Sequence, residues 1–309
     1  MGVPSREPGP GGTDGPLPAD VPARGRRRTV LRLAGFGAGA ALVVAAVSIA
    51  MGERDSFARA LDAVREAPPG KIAVLLLAVA AGVVLTAALF HLLMRRYGEI
   101  PFAEMAAVIG AASFANYLPL KPGFAGRVAY HRLRHGIRAV DTLRAMIEAI
   151  ALSGTTAAII LGGLFLLHAL GIPAALALFG PALLAGLALP SRLRALALPL
   201  VLRQAEFALL ALRYWIAFSL VGSPIGVEAA LVLASANALA SFVPFVAGSL
   251  GLREWLTGLI TPLVSPETFA AGVAAELVHR VAELAVVGPI GLGSAAFLAR
   301  HVRRNPPAR

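Results

Sequence analysis

The sequence predicts an all-α polytopic integral membrane protein with about six full spans plus two re-entrant helical hairpins in an inverted repeat. Three observations lead to this class. The chain of 309 residues is 58% hydrophobic and 15% charged, whereas soluble domains are about 25% charged. Several apolar runs approach the roughly 20 residues that span a bilayer. Cationic residues cluster at the ends of these runs, as topology signals do.

Composition also excludes several classes of site. The absence of cysteine rules out disulfides, thiolate metal sites and cysteine nucleophiles. The apolar runs are too long and too rich in Ala and Leu for the strands of a membrane barrel. The net charge of +11 would suit nucleic acid in a soluble protein. Because these cations lie at span ends, we expect membrane lipids with anionic headgroups as partners, and no nucleic acid.

The two termini are predicted to be basic tails. Residues 1–28 are rich in Pro, Gly and Arg and are expected to be disordered. The transmembrane domain then covers 29–300 and starts with a span at about Thr29–Met51. A secretory or twin-arginine signal is the alternative for this first span, but the apolar run is long for one. Residues 301–309 form a short cytoplasmic tail.

The rest of the domain divides into spans and shorter apolar arms. Residues 53–69 suit either an interfacial helix or a solvated loop. Further spans are predicted at 72–94, 142–170, 172–190, 200–222 and 268–299, and the apolar arms at 102–118 and 226–243.

The side of the membrane on which the cationic clusters lie decides whether the apolar arms cross the membrane or return. If the arm 102–118 crossed the membrane, the dense cluster Arg127–Arg138 would lie outside. If the arm instead enters and returns, this cluster and the other cationic clusters are all cytoplasmic. We therefore predict six crossings and two re-entrant hairpins, with both termini cytoplasmic, in the cell (inner or plasma) membrane.

The two hairpin turns share the pattern Pro-x-x-x-Gly-x-x-Gly. The hairpins open from opposite sides, so the halves 72–170 and 200–299 form an inverted repeat. Broken helices in inverted repeats are typical of secondary transporters. The matched positions are Pro119, Gly123 and Gly126 in the first turn and Pro244, Gly248 and Gly251 in the second.

The residue types at these turns suit an anion. Proline ends a helix, glycine permits a tight turn, and a following helix start offers free N–H groups. Lys121, Arg127 and Arg253 would add positive charge, and arginine can bind phosphate through two hydrogen bonds. The alternative is an ordinary helix–loop–helix corner whose arginines extend to lipid headgroups.

Charged and polar residues inside the spans add candidates. Such groups either face a cavity or pair locally; local pairing would join Arg144 to Glu148, and Arg280 to Glu276 or Glu283. Asn116 and Asn237 precede the breaks and could bond either backbone or substrate. The predicted substrate-binding set therefore includes Asn116, Arg144, Glu148, Asn237, Glu276, His279, Arg280 and Glu283, while Arg203, Glu206 and Arg213 are noted within another span.

No cofactor, metal or catalytic residue is predicted. Glu276 and His279 resemble half of a di-iron site, but no second Glu-x-x-His motif follows. We find no nucleotide-binding loop and no serine-nucleophile motif.

The two stretches NYLPLKPGFAGRVAYHRLRHGI and ASFVPFVAGSLGLREW resemble a known family over about residues 30–300. They are similar to the transmembrane (flippase) region of the lysylphosphatidylglycerol synthase family, as a stand-alone member without the synthase domain. Three features depart from the family pattern: Asn116 lies one position nearer the proline, Ala247 replaces the usual proline of the second motif, and Arg127 directly follows Gly126. The matching residues are Pro119, Gly123, Gly126 and Arg127 in the first motif, and Pro244, Gly248, Gly251 and Glu254 in the second.

The resemblance implies a flippase-like transporter that moves an anionic phospholipid or lipid-linked intermediate between leaflets. It also implies a glycosyltransferase or lipid-modifying enzyme as a candidate partner. The alternatives are a membrane-embedded enzyme or accessory subunit in lipid-linked sugar or cell-envelope lipid metabolism, with Glu254, Glu276 or Glu283 as base, and a non-catalytic scaffold. Glycines 35, 37 and 39 permit close helix contact within the chain or in a homo-oligomer.

Overall fold

The computed structural model describes residues 44, 48, 62–118, 121–170, 197–240 and 251–304. Every regular element in these ranges is an α-helix, which confirms the predicted all-helical class. The helices are α1 (Pro69–Met94), α2 (Phe102–Ala115), α3 (Pro122–His135), α4 (Ala139–Leu170), α5 (Ala197–Leu220), α6 (Val227–Ala240), α7 (Leu252–Val264) and α8 (Phe269–Arg304).

The helices follow the predicted apolar segments closely. The long helices α1, α4, α5 and α8 correspond to four predicted spans, and the short helices α2 and α6 to the two predicted arms. Residues 62–65 are helical, in the segment for which helix and loop both remained open. The predicted segments 1–28, Thr29–Met51 apart from residues 44 and 48, 172–190 and 305–309 lie outside the described residues.

Within the described ranges, three helical segments are long and apolar enough to cross a membrane: Pro69–Met94, Ala139–Leu166 and Phe269–Arg303. The helix α5 has 24 residues and a length of about 36 Å, but it carries Arg203, Glu206 and Arg213. Large apolar side chains also cover the outer surface; Leu77 and Phe165 are 68% and 76% exposed. Such a surface is unusual in water, and these features are those of a helical membrane protein.

Each half of the chain contains the same series of helices. The order is long, short, short, long, with 26, 14, 14 and 32 residues in α1–α4 and 24, 14, 13 and 36 in α5–α8. The first helices, α1 and α5, pack together, while α2 packs on α8 and α6 on α4. Because each second helix packs on the last helix of the other half, the two halves interlock.

The arms α2 and α3 run in opposite directions. Glu104, in the first turn of α2, accepts hydrogen bonds from Tyr130 (2.5 Å) and His135 (2.9 Å) near the end of α3. The end of α8 joins the same group, since His301 lies 3.8 Å from Glu104 and 3.3 Å from Arg134. The start of α2 and the ends of α3 and α8 therefore meet at one end of the bundle.

The first turn differs from its predicted form. We expected the break to extend from Pro119 to Gly126, but α3 begins at Pro122, and Lys121 before it has a left-handed φ of 46°. Proline suits the first position of a helix because its missing N–H is not needed there, so the helix starts early. Gly123 and Gly126 consequently lie inside α3, and Pro119 lies outside the described residues.

In the second turn, the last of the predicted glycines does lie at the turn. Gly251 is the N-cap of α7 with φ 79°, a conformation that favours glycine. Gly251 and its sequence counterpart Gly126 therefore occupy different positions, one before a helix and one inside it. The shared pattern identifies both turns but does not align them residue by residue.

We predict that Gly123→Ala destabilises the protein and that Gly126→Ala does not. A Cβ at Gly123 would lie 2.5 Å from Oδ1 of Asn116 and closer still to the carbonyl oxygen of Ala112, so α2 and α3 would have to separate at a cost of about 1–3 kcal/mol. A Cβ at Gly126 meets nothing within 4 Å, and alanine favours a helix by up to about 1 kcal/mol. Thermal unfolding in detergent compares the pair; equal midpoints would contradict this packing.

Candidate functional site

A central cavity of about 350 Å³ lies between the two halves. Its walls come from α1, α4 and α5, from the region where α2 leads into α3, and from α6, α7 and α8. Six residues predicted from the sequence line it: Asn116, Lys121, Arg127, Asn237, Arg253 and Glu283. The two turns that the sequence singled out therefore contribute to one site.

The central cavity is rich in positive charge. Among the described residues, five cationic side chains and two carboxylates line it. Three of these, Arg203, Glu206 and Arg213, come from α5 and were not among the predicted site residues. The full charged set is Lys121, Arg127, Arg203, Arg213, Arg253, Glu206 and Glu283.

Arg127 is a buried cation with no carboxylate beside it. Its residue is 6% exposed, and its guanidinium carbon lies 4.8 Å from the ring centroid of Phe90 and 5.7 Å from that of Phe124. Within the described residues no carboxylate lies within 4.0 Å of it, and its Nε has no hydrogen-bond partner. The aromatic rings hold the charge in place, and the cavity remains available for an anion.

Arg203 and Glu206 form a second polar group beside Arg127. The two residues are ion-paired, and Thr86 donates a hydrogen bond of 2.5 Å to Glu206. Arg203 is close enough to Arg127 for their like charges to repel. Since Glu206 already neutralises Arg203, the charge of Arg127 remains uncompensated.

Arg253 is the centre of a buried ion network. Its Nε lies 3.0 Å from Oε1 of Glu276, and its Nη1 lies 3.0 Å from Oε2 of Glu283. Its Nη2 donates to Nδ1 of His279 at 2.9 Å and lies 3.5 Å from the hydroxyl of Tyr214. The guanidinium therefore forms ion pairs with two carboxylates and contacts two further protein groups.

The network continues in both directions as alternating charges. Arg213 lies 3.1 Å from Glu283, and Arg280 lies 2.8 Å from Glu254 and 3.8 Å from Glu276. Three arginines thus face three glutamates, so this part of the site is close to neutral. The predicted pairing of Arg280 with Glu276 is present, but the shorter contact is with Glu254.

Polar side chains complete the network. Tyr214 donates to Glu276 at 2.6 Å and stacks on His279 with ring centroids 4.8 Å apart. Asn237 donates to Thr257 at 3.0 Å, which joins α6 to α7. Asn237 also donates to the carbonyl of Leu233, one turn earlier in its own helix, at 3.0 Å, whereas the sequence expectation was a bond to backbone groups freed by the break or to a substrate.

The end of the first hairpin reaches this network. Tyr117 and Lys121, which follow α2, line the central cavity together with Arg253 of α7 and Glu283 of α8. The residues after α2 and the first turn of α7 therefore meet across the central cavity.

Several predicted residues lie elsewhere. The expected pairing of Arg144 with Glu148 is wrong: Arg144 lies 3.5 Å from Asp141, whereas Glu148 pairs with Arg96 of α1. Neither residue lines the central cavity. Gly123 serves packing, Gly126 is exposed, and Gly251 caps α7. Pro244 and Gly248 lie outside the described residues.

The sequence contained a signal for the three charged cavity residues of α5 that the predicted site did not include. Arg203, Glu206 and Arg213 follow helical spacing and share one face of α5, next to Tyr214. A charged face on an otherwise apolar helix indicates a cavity. Thr86 and Thr257 gave no such signal, because isolated threonines are common in helices.

Comparisons with protein-family models, curated proteins and solved structures gave no match. The fold and the site define a helical membrane protein with a polar central cavity. Its function must therefore be argued from the geometry of that cavity.

We predict that Arg253→Gln destabilises the protein far more than Arg127→Gln. Without Arg253, the buried carboxylates of Glu276 and Glu283 lose their shared partner, and breaking a buried ion pair costs about 3–5 kcal/mol. Without Arg127, no carboxylate of the described residues is left unpaired, and only its two cation–π contacts are lost. Thermal unfolding in one detergent measures both variants; equal losses would show that Arg127 also has a structural counter-charge.

Proposed function

We propose that this chain is a lipid flippase-like membrane transporter that moves an anionic phospholipid or lipid-linked intermediate between the two leaflets. The observation that supports this best is Arg127, a buried cation that faces the central cavity and has no carboxylate partner in the part of the chain that the structure describes. An uncompensated charge at membrane depth is expensive, and such residues usually contact a substrate or ion. A phosphate group would supply the missing charge.

The short helices support two re-entrant hairpins. α2 and α6 have 14 residues each and so extend about 21 Å, less than the roughly 30 Å hydrocarbon core. The first hairpin also returns to its starting end, where Glu104 meets Tyr130 and His135. A hairpin of this kind brings polar backbone to the middle of the membrane only where it lines a cavity.

The helix contacts support an inverted repeat. If α1–α4 are exchanged with α5–α8, the main contacts map onto one another: α2 on α8 becomes α6 on α4, and α3 on α4 becomes α7 on α8. We propose that the two halves are related by an axis in the membrane plane, as in many transporters. With the two spans predicted outside the described residues, this gives six crossings.

Charge at one end of the bundle supports the proposed orientation. Arg134 and His301 meet there, at the ends of α3 and α8, and Arg96 near the end of α1 pairs with α4. The positive-inside rule assigns this end to the cytoplasm. Both termini would then be cytoplasmic, in the cell (inner or plasma) membrane.

The geometry favours transport over catalysis. Glu254, Glu276 and Glu283 were the candidate bases for an enzyme, and each lies within 3.1 Å of an arginine nitrogen. Glu276 and Glu283 each contact two arginines, and carboxylates held in this way are poor proton acceptors. The same network engages Arg253 in ion pairs. Of the two arginines expected to contact phosphate, Arg127 is therefore the one we propose as the contact.

We predict that Arg127→Gln slows lipid movement by about 10–100-fold, because a charge-assisted hydrogen bond contributes about 1.5–3 kcal/mol. The measurement uses proteoliposomes with fluorescent phosphatidylglycerol or a labelled polyprenyl phosphate, and a reductant that quenches only the outer leaflet. Arg65→Gln is the matched control, since Arg65 is an exposed arginine outside the central cavity.

Two results would contradict the transport proposal. One is a wild-type protein that moves neither labelled lipid. The other is an Arg127→Gln variant that moves both lipids at the wild-type rate. Slowing by Arg65→Gln as well would point to a general surface-charge effect instead of a site.

A second prediction concerns orientation. The chain contains no cysteine, so single cysteines report on one position each. Arg132→Cys near the end of α3 should react with a membrane-impermeant thiol reagent from the cytoplasmic side, and Pro266→Cys after α7 from the opposite side. Labelling of both from the same side would exclude the inverted repeat.

A further inference from the structure

A second cavity, here called the apolar groove, lies between α1, α2 and α8. It encloses about 390 Å³, and among the described residues no charged side chain lines it. Small residues predominate in it, among them Ala80, Ala103, Ala106 and Gly293. Without a cation or a carboxylate, the apolar groove suits a hydrocarbon segment and does not suit a headgroup.

Glycines explain why the apolar groove exists. α2 and α8 cross closely at Gly110 and Gly291: a Cβ at Gly110 would lie 2.6 Å from Oγ of Ser294, and one at Gly291 would clash with Phe114. This close crossing holds the two helices together. Toward the start of α2, small side chains leave the space between them unfilled, and a Cβ at Gly293 meets nothing within 4 Å.

The apolar groove adjoins the central cavity. Val83 of α1 lines both spaces, and the neighbouring turn of α1 carries Thr86, which contacts Glu206 in the central cavity. A polar space with an uncompensated cation thus shares a wall with an apolar space. Only an amphipathic molecule has groups that suit both.

We propose that the apolar groove holds a hydrocarbon chain of a lipid whose anionic headgroup occupies the central cavity. This inference rests on the proposed function and adds how the substrate's tail is bound. It identifies the substrate as a whole lipid bound at two places, instead of a headgroup or a free phosphate. The chain leaves the central cavity past Val83 and lies between α2 and α8.

The experiment uses phosphatidylglycerol with a photoactivatable diazirine in one acyl chain, in proteoliposomes of the full chain. After irradiation, the covalent adducts are mapped by digestion and mass spectrometry. We expect adducts on residues 103–107 and 290–297. This readout needs no transport, so it stays informative if the wild-type protein moves no lipid.

Two variants fill the apolar groove, Gly293→Leu and Ala103→Leu. Each should lower labelling of these segments by about tenfold, which corresponds to about 1.4 kcal/mol of binding free energy. The matched control is Gly162→Leu in α4, where a Cβ also meets nothing within 4 Å and which lines neither space. Size-exclusion profiles check that each variant is folded. If one of the two filling variants fails to fold, the other still tests the groove.

The outcomes separate this inference from the proposed function. Groove labelling that falls in both filled variants and in Arg127→Gln supports a single lipid bound at two places. Labelling that is unchanged by Arg127→Gln overturns the link to the headgroup. Adducts on the outer lipid-facing surface with none on residues 103–107 and 290–297 overturn the groove, even if lipid transport is observed. A groove covered by a second copy of the chain would give no adduct and would also overturn the proposal.

Discussion

The ion network around Arg253 is the interaction on which the rest of the site depends. It fixes the first turn of α7 against α8 through Glu276 and Glu283, and α5 joins through Arg213. At membrane depth an unpaired charge is costly, so these residues are stable only in this arrangement. These ion pairs therefore fix the positions of α5, α7 and α8 along one another. The wall of the central cavity follows from these positions.

The two halves use the same series of helices but stabilise their turns differently. In the first half, close packing holds the start of α3, because Gly123 has no side chain and lets α3 lie against Ala112 and Asn116. In the second half, the start of α7 is held by ion pairs at Arg253 and Glu254. The first turn thus needs no arginine for its stability. That difference leaves Arg127 available to a ligand, whereas Arg253 is not.

The sequence predicted more of the fold than of the site. Apolar runs located α1, α2, α4, α5, α6 and α8 because membrane helices are long and uniform. Charge pairs were harder to predict, since their partners are distant in sequence: Glu148 pairs with Arg96 and not with Arg144. The roles of Arg127 and Arg253 could not be separated either. Their difference depends on which carboxylates the neighbouring helices bring close.

The burial of Arg127 has a physical explanation that links the two cavities. Phe90 and Phe124 stabilise its charge partly, by about 0.5–2 kcal/mol each, which is less than the cost of removing a cation from water. The central cavity must therefore admit water or an anion. Val83 places this polar space directly beside the apolar groove. A lipid bound across both would neutralise Arg127 while its chain stays in apolar surroundings, so neither part of the molecule would meet an unfavourable environment on its way between leaflets.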